Sequence, residues 1–509
     1  MRPSTFTSAA LAVALVAACG KKEEAKKTDQ APPPTTVEVA PKKPVENKAL
    51  PPLAADPGGA TGKPVWQLGF GGLGIDSAKG IAVSPSGDVY IDGYFEGEID
   101  FGGKIGKKKS NGKSDAYVAK IGADGKIVWA QTFGAAREDV ANAIAVKGDK
   151  VVVAGNFLDE LNLGTYTKKS NGSDDLYIAA FDKDGNVDWL WTAGGYDSDG
   201  VNAITATPDG GWVIGGSFSD SLAITTGSGP VNIKSKGGTD AILIKLAATG
   251  DTEWVKQFGG NYDDTIFHLG TDANGNIFVQ GIFKDVANWG GQPLKAGGGS
   301  DNDVVLAKYD RNGDHVWSQR FGNAFNEVAG GLSVDPSGHV TIAGSFENKG
   351  SISFGEGDDH VSLGEADIYV ARFTGDGKLE WAKSFGGDRV DVAADLATDS
   401  AGNSLVTGWF EGTVDFGKGA VSTKTTNKDA FVMKLDAKGN TTWAQTFGDK
   451  DHDQGRALAL DEKGAAYVTG LYRWKLSLLD PPVEQVIDTN DPVLSKVPKP
   501  DVFVVKLDR

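Results

Sequence analysis

Apolar and polar side chains alternate along short segments of this chain, and the segments recur in the same order over most of its length. In one copy, Trp129 and Phe133 stand four positions apart, which places both on one face of an extended strand. Short apolar strands follow at 142–146, 151–155 and 175–181, and turns separate the segments. The repeats lack the helical period of about 3.6 residues. Each copy therefore predicts four antiparallel strands.

The clearest marker of the repeat is the motif Trp-x-x-x-Phe-Gly, which recurs every 60 to 65 residues. Its complete copies begin at Trp66, Trp129, Trp254, Trp317, Trp381 and Trp443. A seventh copy begins at Trp189 and has Ala193 where the others have phenylalanine, a lapse that marks a possible functional position. Seven repeated four-stranded units predict an all-β, seven-bladed β-propeller over residues 64–509.

The two ends of the array predict how the ring closes. With the strands of a blade named a to d from the axis outward, the Trp motif belongs to strand d. The array begins with a d strand, around Trp66, and ends with a c strand, around Val504. We expect these segments to pair antiparallel, because that pairing completes the last blade and leaves no open seam.

The repeats also share shorter motifs. Strand b ends in Gly-x-aromatic, as at Phe95 and Phe157, and strand c of the first repeat reads Asp-Ala-Tyr-Val-Ala-Lys from Asp115. Together with the Trp-Ala-x-x-Phe-Gly and Ile-Ala-Val segments, this pattern resembles the seven-bladed β-propeller repeat family abbreviated SBBP. The resemblance covers residues 64–509. It implies a propeller fold and no particular activity, because that family is defined by fold far more than by function.

The N-terminus is typical of a targeting segment. An uncharged apolar run, 9–18, follows Arg2 and is too short to span a bilayer. It ends in Val-Ala-Ala-Cys-Gly, and these small residues before Cys19 resemble the bacterial lipobox. The resemblance implies that residues 1–18 are a signal peptide and that Cys19 carries the lipid. Gly20, in place of aspartate, implies the outer membrane of the cell envelope as the destination.

Composition adds three further inferences. Residues 19–63 are rich in lysine and proline and have no apolar period, so they predict the lipidated cysteine plus a disordered tether. Cys19 is the single cysteine, so no internal disulfide is possible. The net charge is −17, and because residues 1–63 are net +3, residues 64–509 carry −20. Such acidity argues against nucleic acid as a partner.

A first series of acidic residues occupies equivalent places in the connection from strand d to strand a. Its members are Asp76, Asp139, Asp199, Asp264, Glu327, Asp391 and Asp453. Seven carboxylates near the axis would raise one another's pKa and attract a cation or a basic peptide at the channel mouth. Alternatively, each carboxylate accepts backbone N–H bonds at its own turn. Its presence in every copy favours the second interpretation.

A second acidic series opens strand c in every repeat. Its members are Asp115, Asp175, Asp240, Asp303, Asp367, Asp429 and Asp501. The same regularity indicates that these side chains brace turns. One turn, Asp182 to Asp188, has oxygen donors at alternating positions, as calcium loops do, but it lacks the distal glutamate. A hairpin turn is the favoured interpretation there.

The connections between strands b and c are long and unequal, which makes their face the candidate for specific contacts. The first is basic, with Lys107 and Lys113 among its five lysines, and a solvated loop is favoured over a polyanion site. The last, 473–500, is the longest and least repeat-like. Arg473 and Trp474, at its start, are the predicted contact residues.

The sequence favours a lipid-anchored propeller that acts as a rigid binding or scaffolding surface for a protein or glycan, without metal or cofactor. Two alternatives stay open. One is a hydrolase or lyase with acids such as Asp139 or Asp391 at the channel mouth. The other is a subunit of an envelope assembly complex. Catalysis has little support, because the five histidines lie at unrelated repeat positions and lack metal-ligand spacing.

Overall fold

The computed structural model describes residues 35–38, 43, 45, 47–227, 229–298, 301–347, 350–355, 357–485 and 498–509. Cys19 and the predicted signal peptide, residues 1–18, lie outside these residues. All regular structure in the described part of the chain is β. Within these ranges there is no helix of the length and apolarity needed to cross a bilayer.

The strands group into seven four-stranded antiparallel blades among the described residues. In order a to d they are Asp76–Val83, Val89–Asp100, Lys107–Ile121 and Ile127–Phe133 for blade 1; Asp139–Lys147, Lys150–Leu163, Tyr166–Asp182 and Val187–Gly194 for blade 2; Gly200–Ala206, Trp212–Thr226, Gly229–Leu246 and Thr252–Gly260 for blade 3; Thr265–Thr271, Ile277–Phe283, Asp303–Tyr309 and His315–Phe321 for blade 4. Blade 5 comprises Glu327–Val334, Val340–Glu347, Ala366–Phe373 and Leu379–Phe385. Blade 6 comprises Val392–Thr398, Ser404–Phe410, Asp429–Leu435 and Thr441–Phe447. Blade 7 comprises Gln454–Leu460, Ala466–Tyr472, Asp501–Leu507 and, from the start of the array, Pro64–Gly72.

The a strands surround the axis of the propeller. Each contacts the a strand of the next blade, and the a strand of blade 7 contacts that of blade 1, which completes the cycle. The predicted closure is observed as a strand pair. Trp66 lies opposite Lys506, and Leu68 lies opposite Val504. Buried side chains of blade 7 pack against blade 1 across this joint, so the ring closes through its core as well.

The repeated tryptophan joins neighbouring blades. Its ring covers a glycine in the c–d turn of the next blade, and the pairs are Trp66–Gly125, Trp129–Gly185, Trp189–Gly250, Trp254–Gly313, Trp317–Gly377 and Trp381–Gly439. The indole N–H of Trp129 donates to the carbonyl oxygen of Lys183 at 3.0 Å in the same turn. Blade 7 has no c–d turn, and Gly62 takes its place against Trp443. The joint explains why both residues recur.

The lapse at Ala193 has a packing explanation. Ala193 and the neighbouring Trp191 are both buried in the core between blades 2 and 3. The indole of Trp191 donates to the hydroxyl of Thr252 in the next blade at 3.1 Å. A larger ring two residues away therefore occupies this part of the core, and the lapse loses its value as a functional signal.

The b–c connections differ from the loops expected from the sequence. In blades 1 to 3, strands b and c extend outward as one long hairpin, and in blades 4 to 7 separate short hairpins occur. Those short hairpins are Val286–Asn288 with Leu294–Lys295, Ser351–Ser353 with Asp359–Val361, Thr413–Asp415 with Ala420–Ser422, and Lys475–Leu476 with Val483–Glu484. In the basic hairpin, Lys107 pairs with Glu98 at 2.7 Å and Lys113 with Glu138 at 3.1 Å. The Lys107–Glu98 pair joins the two strands of the hairpin, and with Lys113 also paired the case for a polyanion site is weaker.

The end of the expected tether packs on the propeller instead of standing away from it. Residues 47–63, here named the strap, run along the a–b turns of the later blades. Lys48 and Asn274 exchange two hydrogen bonds of 2.8 Å, and Ala54 donates to the carbonyl of Ser400. Further upstream, Thr35–Glu38 pairs with the outer strand of blade 3. An extended chain can follow a row of turns because each turn offers unpaired backbone and amide groups.

Candidate functional site

The two predicted acidic series meet as pairs in the interior, not as a ring in the open channel. The first-series side chains are at most 2 % exposed. The glycine after Phe133 lies between Asp115 of strand c and Asp139 of the following connection, where an added Cβ would be 2.6 Å from the Asp139 carboxylate. The same arrangement holds at Gly259 and Gly322. This contact explains the glycine that ends the tryptophan motif.

Each first-series carboxylate braces its own turn. The six aspartates accept the N–H of the residue four positions upstream at 2.6–2.9 Å. In the second series, Asp115 likewise accepts the N–H of Asn111 at 3.1 Å. The expectation that these side chains brace turns is therefore met by geometry. Cation binding by the first series stays a prediction that no contact supports.

Burial sets the protonation of both series. Desolvation, with the neighbouring Asp501 second, raises the pKa of Asp76 to about 9. Desolvation followed by the charge of Asp303 raises the pKa of Glu327 to about 9. Every other member of the two series is also shifted upward by burial. A general acid would stand out from its equivalents, and these groups do not.

The Asp182 turn has the geometry of a hairpin. One carboxylate oxygen of Asp182 accepts the backbone N–H groups of Asp184 and Asn186, both at 2.9 Å. The other accepts the side-chain amide of Asn186 at 2.8 Å. Within the described ranges, no cluster of three or more histidine, cysteine, aspartate or glutamate side chains is placed to hold a metal.

A different position breaks the sevenfold regularity. Every a strand has a β-bulge three residues after its first-series acid, and the bulged residue differs from blade to blade. From blade 1 to blade 7 these residues are Lys79, Asn142, Asn202, Phe267, Gly330, Ala394 and Arg456. Lys79 is partly exposed between buried Ala78 and Gly80. Because the a strands surround the axis, the bulged residues line the central channel.

The two basic bulge residues belong to adjacent blades, 7 and 1. Burial and then the charge of Arg456 lower the pKa of Lys79 to about 8. Burial also lowers the pKa of Arg456. In the described part of the chain, the Arg456 Nε is buried without a hydrogen-bond partner. The acid that acts on Lys79 is Asp92, whose own pKa burial raises to about 7.

Two aromatic rings support these cations. The Arg456 guanidinium lies 5.3 Å from the ring centre of Trp409 in blade 6, and the Lys79 ammonium lies 5.7 Å from that of Tyr94. Lys428 approaches Trp409 at 5.1 Å. Together these five residues form what we name the cationic cluster, at the end of the channel that carries the d–a and b–c connections. Cation–π contacts of this kind offset part of the cost of burying charge.

The predicted contact residues Arg473 and Trp474 lie beside this cluster. Arg473 donates its backbone N–H to Asp453 at 3.2 Å and its guanidinium pairs with Asp451 at 3.5 Å. The Lys450 ammonium covers the ring of Trp474 at 3.5 Å. Arg473 and Lys428 both lower the pKa of His452, after burial and against Asp451, so the contact loop adjoins the cluster. Residues 486–497 of the loop lie outside the described residues.

Sequence reasoning missed the cationic cluster. Lys79 and Arg456 are 377 positions apart, and each looks like an ordinary charged residue in its own repeat. A signal was available nevertheless. Alignment of the repeats at the first-series acid shows one position, three residues on, that is basic only in the first and last copies.

A small cavity on the opposite face is a weaker candidate. It has a volume of about 170 Å³ and lies beneath the strap, between blades 3 and 4. Its walls include Asp209 and Lys245, which form an ion pair of 2.8 Å. Ligand pockets usually span about 300–1,000 Å³. The cavity is therefore small, and these two charges satisfy each other.

Comparison with known proteins finds distant similarity only and shows no family. No family model matches the chain. The chain is similar to the uncharacterized WD repeat-containing protein L264 of Acanthamoeba polyphaga mimivirus, at 20 % identity over 418 residues, 67 % of this chain and 29 % of that protein. It is also similar to the regulatory protein FlaEY of Caulobacter vibrioides, at 23 % identity over 442 residues, 81 % of this chain and 44 % of that protein. The chain thus spans less than half the length of either relative.

Among solved structures, the Neurospora crassa Pan2 WD40 domain aligns with a TM-score of 0.41 and 9 % identity, over 85 % of this chain and 89 % of that one. The fold assignment rests on the strand pairing of this chain itself. The protein is thus a β-propeller built from sequence repeats, with an asymmetric channel.

Proposed function

We propose that this protein is a lipid-anchored lipoprotein of the cell envelope, held in the outer membrane through Cys19, and that its propeller is a rigid, non-catalytic binding surface. The Val16–Gly20 motif and the resemblance to the SBBP repeats support the first half of the proposal. The binding site is the cationic cluster with the adjoining Arg473 and Trp474.

One observation carries the binding role. Residues that build the disc repeat in every blade, whereas the channel-lining bulge position changes from blade to blade. Packing explains repetition, because equivalent joints need equivalent side chains. It does not explain adjacent cations in a domain of net charge −20. Adjacent like charges repel each other, and such sites persist where function requires them.

The enzyme alternative has no comparable observation in its favour. Its candidate acids, including Asp139 and Asp391, share their burial, turn bonds and raised pKa with the other blades. The envelope-complex alternative differs from our proposal only in the identity of the partner, and the capture experiment described next also tests it.

The test is affinity capture of the full-length protein from membranes. The variant Lys79→Gln/Arg456→Gln should lose the specific partner or ligand that the wild type retains. Lys113→Gln is the matched control, because it removes a charge from an exposed position on the same face of blade 1. Identical capture by wild type and double variant would refute the site. Separately, labelled palmitate should enter the wild type but not Cys19→Ala, and equal labelling would refute the anchor.

A further inference from the structure

We infer that the cationic cluster binds one compact oxyanion, a phosphoryl or carboxylate group, between the Lys79 ammonium and the Arg456 guanidinium. The inference rests on the proposed function and names the chemistry of its ligand. Both side chains line the channel from adjacent blades, at equivalent bulge positions. An anion between them would contact one cation from each side.

The protein's buried cations are each paired with a carboxylate, and the partly exposed Lys79 and Arg456 differ from them. The guanidinium of Arg372 bonds Glu380 at 2.9 Å and also Asp335, and Lys245 pairs with Asp209 at 2.8 Å. Lys256 lies 3.4 Å from Asp314. A buried charge is stable only when it is paired and hydrogen-bonded. Among the described residues, Asp92 is the one acid that acts on Lys79, and the Nε of Arg456 has no hydrogen-bond partner, so an oxyanion ligand would complete the pairing of both cations.

The electrostatic interaction between the two cations also favours an anionic ligand. Lys79 lies in the field of Arg456, whose charge is the second cause of the lowered Lys79 pKa. Repulsion between like charges grows as water is excluded. An oxyanion reverses that repulsion and becomes attracted to both. Asp92 is close enough to act on Lys79, but burial raises its pKa to about 7, so it is an incomplete counter-charge near neutral pH.

The surroundings fit recognition of an anion and not of a cation. Arg456 is held against the face of Trp409, which leaves the edge of the planar guanidinium to donate. Its Nε is buried and has no acceptor. A guanidinium fork matches the two oxygens of a carboxylate or phosphoryl group, and Lys79 adds a point charge. Lys428 is partly balanced by Glu411, so we assign it a supporting electrostatic role.

The experiment is calorimetric titration of full-length protein in detergent with inorganic phosphate and, separately, with glucuronate. At constant ionic strength, at least one anion should bind, and the two arms distinguish a phosphoryl from a carboxylate ligand. Arg456→Gln and Lys79→Gln should each weaken binding by about tenfold or more, because each removes a charge-assisted contact. Arg456→Lys should recover part of the loss, and Lys113→Gln should bind as the wild type does.

Two outcomes would overturn the inference: no binding of either anion up to about 10 mM, or equal binding by wild type and Arg456→Gln. Should a variant fold poorly, the wild type alone gives a second readout. Its thermal midpoint should rise with the binding anion and not with chloride at equal ionic strength, and no rise would also count against the inference.

If partner capture depends on Arg456 but neither anion competes, the ligand class is wrong and the proposed site stands. If an anion binds but capture ignores Arg456, the proposed function is wrong and the anion site stands.

Discussion

The joint between blades can be broken with a single methyl group. Gly185 lies in the c–d turn of blade 2 with φ of 86°, under the ring of Trp129. In Gly185→Ala the new Cβ would lie 2.9 Å from Cδ2 of that ring, closer than carbon atoms tolerate. The ring cannot simply rotate away, because its N–H is bonded to Lys183 in the same turn. We expect the variant to separate the two blades locally.

The expected magnitude has two parts. A positive φ costs an alanine about 1–2 kcal/mol relative to glycine. Forcing the ring and turn apart adds about 1–3 kcal/mol, as overpacking does in other cores. Gly87→Ala is the matched control, since Gly87 has φ of 85° but no atom within 4 Å of the new Cβ. Only the first part should appear there.

The assay is urea denaturation followed by far-ultraviolet circular dichroism, with the intrinsic tryptophan fluorescence as a second probe. Gly185→Ala should lose about 1–3 kcal/mol more than Gly87→Ala. Equal losses in the two variants would show that the turn conformation alone requires glycine and that the Trp129 joint contributes nothing. A normal fluorescence spectrum in Gly185→Ala would argue against displacement of the ring.

Three further predictions concern closure, pH and a buried ion pair. Deletion of residues 64–70 should lower the thermal midpoint far more than loss of one edge strand would, because it opens the ring beside Val504. An unchanged midpoint would disprove that these residues close the ring. The pKa of Asp76 is about 9 in the folded protein and about 4 in an unfolded chain. The folded state therefore binds more protons between these values, so the free energy of unfolding should fall as pH rises from about 4 to about 9, and Asp76→Asn should flatten that slope in denaturant titrations. A slope unchanged in Asp76→Asn would show that this carboxyl is not shifted. Arg372→Met should lose about 3–5 kcal/mol of unfolding free energy because Asp335 stays buried without its partner. Adding Asp335→Asn to this variant should restore part of the lost free energy. No restoration would rule out the unpaired Asp335 charge as the cause.

The fold was predictable because its signals are local and repeated. Alternation specifies strands, the period specifies blades, and the starting phase at Trp66 specifies which strands must pair to close the ring. The recurrence of tryptophan and turn glycine was equally visible. Their contact was not, because Trp129 and Gly185 lie 56 positions apart and belong to different blades.

The site was less predictable, for a related reason. A residue present in all copies attracts attention, and both acidic series did so, yet their burial and backbone bonds give them a bracing role. The cationic cluster uses residues that no repeat shares. Lys79 and Arg456 become neighbours only when the ring closes, and Trp409 contacts Arg456 from a third blade.

The sequence by itself determined the strands, the number of repeats, the joint that closes the ring and the candidate lipid anchor. Those properties depend on short-range pattern and on counting. Only the tertiary structure decided which side chains face the channel, which carboxylates are buried and where the strap lies. Those properties depend on how the first and last repeats meet, since circular closure brings together residues from opposite ends of the chain and excludes water from the pairs it forms.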